Sequence, residues 1–188
     1  MKALGFTLAL IVLAACKQEA MQDTSPVSLN ADAVGHYCQM NLLEHDGPKG
    51  QAHLAGLPAA PLFFSQVRDA VAYMRMPEQS HAILTVWVND MGAEGATWKA
   101  PGADNWITAD EAFYVVGAQV IGGMGAPEVV PFLQEAKAAA FAEINGGNVM
   151  RFAEIPDSAV LAPVALDGEE TDREFEDRLR ALSRENGE

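Results

Sequence analysis

The chain has 188 residues, 49% of them apolar, and a formal net charge of −14. Its length suits one compact domain or two small units packed together, with enough apolar residues for a real core. A surface this acidic excludes nucleic acid as a partner and serves mainly solubility.

Residues 1–15 begin with Lys2, continue as an apolar run from Leu4 to Leu13, and end in Leu13-Ala14-Ala15 before Cys16. The run is shorter than the roughly 20 residues a membrane-spanning helix needs, so it reads as a removable leader of the lipoprotein kind. Cys16 then becomes the N-terminus and carries several acyl chains, which gives stable attachment where one chain would not. Lys17 rather than Asp after it points to the outer membrane, by analogy with bacterial lipoproteins. Residues 16–31 are polar and lack periodicity, as a tether would. Lipidation of Cys16 leaves Cys38 as the one thiol in an oxidising compartment, so no disulfide within the chain is expected. Cys38 is either buried and inert or kept for chemistry.

Residues 32–91 form a first strand-and-helix unit. Strands are expected at Tyr37–Leu43, Gln51–Leu57 and Pro61–Phe64, and a helix at Ser65–Arg75 with Val67, Ala70, Val71 and Met74 on one face. Pro77 closes it, and Ala82–Val88, rich in β-branched residues, is a buried strand. Residues 92–155 form a second unit. Ile107–Val116 and Gln119–Ile121 read as extended, and Pro131–Ile144 as a helix with Leu133, Ala136, Ala140 and Ile144 inward. Asn145-Gly146-Gly147 is a left-handed stop, and Val149–Phe152 a last strand. Phe64-Ser65-Gln66 and Phe132-Leu133-Gln134 recur at an offset of 68, which suggests a tandem ββα/βββα repeat in an α+β chain. Residues 156–188 are a Pro/Ala connector and an acidic tail, in which Thr171-Asp172-Arg173-Glu174 opens a charged helix bearing Phe175, Leu179 and Leu182.

The local feature with chemical content is His36-Tyr37-Cys38-Gln39-Met40. On a strand, His36, Cys38 and Met40 project from one face, so a thiol and a thioether stand side by side. That pair favours cuprous copper, since hard cations prefer oxygen and structural zinc takes Cys or His. Gly122-Gly123-Met124-Gly125 offers a further thioether on a backbone whose glycines permit close approach. Met124 or His36 completes the donor set. Met74 and Met150 read as core, whereas His45, His53 and His81 read as solvated surface. The spacing does not match a blue-copper loop, and nothing marks a cysteine nucleophile, a phosphate loop or paired carboxylates. An enzyme is therefore not expected.

The lipobox Leu13-Ala14-Ala15-Cys16, Cys38-Gln39-Met40 followed by Gly47-Pro48-Lys49-Gly50, Ala112–Gly117, Met124-Gly125 before Pro131-Phe132, and Gly146-Gly147 leading to Arg151-Phe152 together resemble the NosL family. The resemblance covers roughly residues 13–155. It implies a periplasmic copper chaperone that transiently holds one Cu(I) ion and delivers it for assembly of the copper sites of nitrous-oxide reductase. The implied partners are a membrane transporter, its periplasmic subunit and the reductase itself. The implied fold is akin to that of organomercurial lyase, in two related strand-rich units each with one helix. Cys38 and Met40 match the family's Cys-x-Met and Met124 its later Met-Gly. Gly123 stands where the family pattern has proline, and Met91 where it has an aromatic. A metal-free scaffold lipoprotein of an assembly complex, and a thiol enzyme using Cys38, are the alternatives.

Overall fold

The computed structural model describes residues 21–77, 79–164 and 180. The leader, Cys16 and the expected helix around Phe175 lie outside the described residues. Among those described, seven strands form two antiparallel sheets. β1 (Gly50–Leu54), β2 (Leu62–Phe64), β3 (Ile83–Asn89) and β4 (Trp106–Thr108) build the first in the order β2-β1-β3-β4; β5 (Phe113–Ile121), β6 (Pro127–Phe132) and β7 (Asn148–Arg151) build the second in the order β6-β5-β7. Helix α1 (Val67–Arg75) follows β2, and α2 (Glu135–Asn145) follows β6.

The tandem repeat is therefore a ββαβ unit, in which the strand after each helix returns to pair with the unit's first strand. The offset of 68 between Phe64 and Phe132 recurs between the helix starts, Val67 and Glu135. β4 departs from the repeat: it belongs to the second half of the chain but pairs with β3 in the first sheet.

Helix α1 lies between the sheets. Its Val67, Ala70 and Val71 are fully buried with Ala52, Phe64 and Val88 of the first sheet and Tyr114 and Val129 of the second. Gly50 permits this approach, because a Cβ there would stand 2.6 Å from the Ala70 Cβ. Along β5 the residues alternate as a strand with two covered faces must: Tyr114 and Val116 pack toward α1, while Phe113 and Val115 join Phe132, Ala138 and Phe141 beneath α2. The phase of α2 differs from the expected one. Leu133 and Ile144 are exposed, and Ala138, Phe141 and Ala142 face inward. In so alanine-rich a segment apolar spacing does not fix the phase; the ring contact between Phe132 and Phe141, 5.3 Å between centroids, shows which side is inward.

Strand β6 was not expected: the segment from Pro131 reads as the start of a helix, but α2 begins only at Glu135 and Pro131 lies in the strand. β6 is an edge strand, where prolines cost no ladder bond.

Both ends of the described chain are docked. The segment expected to be a free tether lies from Gln22 onward along the outer face of the first sheet. Gln51 exchanges two hydrogen bonds with Val27, donating to its carbonyl at 3.0 Å and accepting from its N–H at 2.8 Å, while Trp87 Nε1 donates to Thr24 O at 2.8 Å. His53, expected at the surface, is buried beneath this strap beside Gln51. At the other end α3 (Asp157–Val160) packs on α1. Arg68 donates from Nε to Val160 O and from Nη2 to Ala162 O, so the start of the expected connector is fastened to the body.

Candidate metal centre

Residues 37–43 do not form the expected strand. Gln39 adopts φ 55°, in the left-handed region, and the chain reverses direction. Gly35 N–H donates to Met40 O at 3.0 Å, Gln39 N–H donates to Gly35 O at 2.8 Å, and a short 3-10 helix, Leu42–Glu44, follows. The Gln39 side chain tightens the turn by donating to His36 O at 2.7 Å. Cys38 and Met40 therefore share a closed turn rather than a pleat. Cys38 Sγ lies 4.0 Å from the Met40 carbonyl oxygen and is partly exposed; Met40 is 45% exposed. Gly35 is the seat of the thiol, because a Cβ there would stand 2.5 Å from Sγ.

The turn is anchored on β2, where His36 N–H donates to Phe63 O at 2.6 Å. The His36 ring meets Phe64 and Tyr73 edge-on, with centroids 5.8 and 5.6 Å away, and Tyr37 at 5.1 Å. It thus belongs to an aromatic cluster beside the turn.

Met124, 39% exposed, sits in a second turn between β5 and β6. This turn is pinned rather than mobile. His45 Nδ1 donates to Gly123 O at 2.9 Å, and Gln66 Oε1 accepts from Met124 N–H at 3.3 Å. A Cβ on Gly123 would meet His45 Cβ at 2.7 Å, Asp46 O at 2.9 Å and Ser65 O at 3.1 Å. Ser65 links the two turns: its carbonyl backs Gly123, and its hydroxyl lies 3.8 Å from the Cβ position of Gly35, beside Cys38. The sequence places these turns more than eighty residues apart, and the fold gathers them at one end of the first sheet.

Beneath them lies a buried layer of titratable side chains. Lys49 Nζ donates to the carbonyls of His45, Asp46 and Gly47 at 2.7, 3.1 and 2.5 Å. Burial pulls its ammonium down to about 8, opposed by the nearby acidic groups Glu128, Asp46 and Cys38. Glu128, fully buried on β6, accepts from the N–H groups of Val67, Arg68 and Val129, capping α1 from the other unit. Burial raises its carboxyl to about 8, against the backbone donors and Lys49 that favour the charged form.

Reading the sequence alone missed His45, Gln66, Lys49 and Glu128. Each acts on backbone atoms of a distant segment, and the one signal available was Lys49 enclosed by Gly47 and Gly50. Among the described residues no three His, Cys, Asp or Glu side chains come together as a metal cluster. The two turns that meet at Ser65 carry a thiol and two thioethers, residue types that suit a monovalent soft ion better than a hard one. Met91 packs against the core beneath α2.

Fold and side chains define a small α+β protein of two ββαβ units, with Cys38, Met40 and Met124 on two turns that meet at Ser65. Residues 26–160 match the NosL family, and the chain belongs to it. It is 56% identical over 176 residues to the copper-binding lipoprotein NosL of Achromobacter cycloclastes, covering 93% of this chain and 91% of that one. It is 34% identical over 150 residues to the copper-binding lipoprotein NosL of Stutzerimonas stutzeri, covering 79% and 75%. The crystal structure of the copper chaperone NosL from Shewanella denitrificans superposes with a TM-score of 0.64 at 30% identity, covering 71% of this chain and 96% of that one.

Proposed function

We propose that this protein is a lipid-anchored periplasmic carrier that binds one Cu(I) ion and passes it on for assembly of the copper sites of nitrous-oxide reductase. The observation that carries this reading is the convergence of the Cys38 turn and the Met124 turn on Ser65. Cys38 supplies a thiolate and Met40 and Met124 thioethers; Met124 is preferred to His36, whose ring is engaged with Phe64 and Tyr73. Partial exposure of all three sulfur residues suits transfer, because a recipient's ligands can enter before the donor's leave. The membrane transporter, its periplasmic subunit and the reductase are the proposed partners. Cys16 is the proposed lipid site and the outer membrane the proposed location.

Anaerobic titration with Cu(I) against a competing chelator tests the reading. Cys38→Ser should abolish high-affinity binding with the fold intact, and Met124→Ala should lower the sulfur coordination number seen by X-ray absorption. Unchanged affinity in Cys38→Ser would overturn the site, and full reductase maturation by that variant would favour a metal-free scaffold.

A further inference from the structure

We propose that the loop joining β1 to β2, residues 55–61, is the face this protein turns to the lipid bilayer, held there by a short tether. The inference rests on the lipoprotein reading above. The first observation is where the N-terminal strap is fastened. Gln22 accepts from Gly56 N–H at 2.9 Å and donates to Leu54 O at 2.8 Å, so its side chain grips the root of this loop. Only six residue steps separate Cys16 from Gln22, a reach of at most about 20 Å even when fully extended. Had residues 16–31 been a free tether, the reach would have been more than twice that and the body free to tumble.

The second observation is composition. In a chain of net charge −14, the loop Ala55-Gly56-Leu57-Pro58-Ala59-Ala60-Pro61 carries no charged residue. Gly56, Pro58, Ala59 and Ala60 are exposed. Anionic headgroups repel carboxylates, so an uncharged apolar surface is the part of an acidic protein that approaches them at least cost. The strap delivers that surface to the bilayer.

The Cys38 turn runs beside β2, where His36 and Gln39 share a hollow with Pro61, whereas the Met124 turn lies toward the other end of β1. Gly50, four residues from Leu54, is about 13 Å away at the usual strand rise. There Gly50 pairs with Phe64, and the adjoining segments carry His45 and, through Ser65, the Met124 turn. With residues 55–61 on the bilayer, Met124 and the Leu42–Glu44 helix face away from it, open to a protein partner.

The test uses the full lipidated chain on vesicles of phosphatidylethanolamine and phosphatidylglycerol containing a headgroup-spin-labelled lipid. A fluorophore is placed by Ala60→Cys or by Glu44→Cys, each in the Cys38→Ser background, and quenching is compared. Quenching several-fold stronger at position 60 is expected. Equal quenching, or stronger quenching at position 44, on a chain whose mass shows the acylated Cys16 would overturn this inference alone. A mass without lipid would overturn the anchoring reading and this inference with it.

Discussion

The imidazole Nδ1 of His45 stands 2.9 Å from the carbonyl oxygen of Gly123, tying the segment that follows the Cys38 turn to the turn that carries Met124. A carbonyl only accepts, so Nδ1 holds the proton; Nε2 is buried and, among the described residues, has no hydrogen-bond partner. His45→Phe should release the Met124 turn and weaken Cu(I) binding by about 10–100-fold, the range for losing a residue that supports a ligand. His45→Asn, which keeps a donor near the Nδ1 position, should recover most of it. Chelator competition measures both; wild-type affinity in the Phe variant would show that the turn stands without this strut.

Gly35→Ala probes the seat of the thiol. The added methyl would stand 2.5 Å from Cys38 Sγ, so the thiol must swing outward. Overpacking of this kind costs about 1–3 kcal/mol. The expected signature is a lower urea midpoint together with faster reaction of Cys38 with a thiol reagent; an unchanged rate would mean the thiol had not moved.

Glu128 gives stability a pH dependence of defined sign. Burial raises its native pKa to about 8, whereas its ordinary value is 4.5. Between those values the native state holds a proton that the unfolded chain has released. Its contribution is therefore complete below about pH 4.5 and is lost as pH rises to about 8. Lys49, lowered to about 8 from 10.5, has the opposite slope and acts mainly above that pH. Glu128→Gln should flatten the decline in unfolding free energy between pH 5 and 8, by a few kcal/mol at most, since a tenfold change in proton affinity is worth about 1.4 kcal/mol. Parallel pH profiles for the two proteins would contradict this.

The strap predicts its own sensitivity. Gln51→Leu leaves the Val27 N–H and carbonyl without their partner and His53 Nε2 without Gln51 Oε1. With each stranded buried group costing about 1–3 kcal/mol, a loss of about 2–4 kcal/mol is expected. Limited proteolysis should then cut within residues 21–30 faster than it does in the wild-type protein.

Much of the first unit was legible from periodicity. β1, β2, α1 and β3 lie within a few residues of their expected spans because their apolar faces alternate cleanly against one core. The strap was not legible, since its inward side chains include the polar Gln22, which bonds the backbone of Leu54 and Gly56, and Thr24, whose hydroxyl accepts from Thr85. β6 was hidden by Pro131, which reads as the start of a helix, and the phase of α2 by its alanines. At the site, the residue types pointed to Cys38, Met40 and Met124, but the geometry that joins Cys38 to Met40 is a reversal at Gln39, which no pattern of apolar residues encodes.

The capping of α1 by Glu128 bears on the order in which the chain acquires its shape. The N–H groups of Val67 and Arg68 find their acceptor sixty or so residues downstream, on a strand of the other unit. A chain made N-terminus first presents β1, β2, α1 and β3 before that carboxyl group exists. Until β6 is made, the first unit lacks both this cap and the Tyr114 and Val129 side chains that complete its core. The two halves are alike in topology, and this one carboxyl group ties the first helix to the second half.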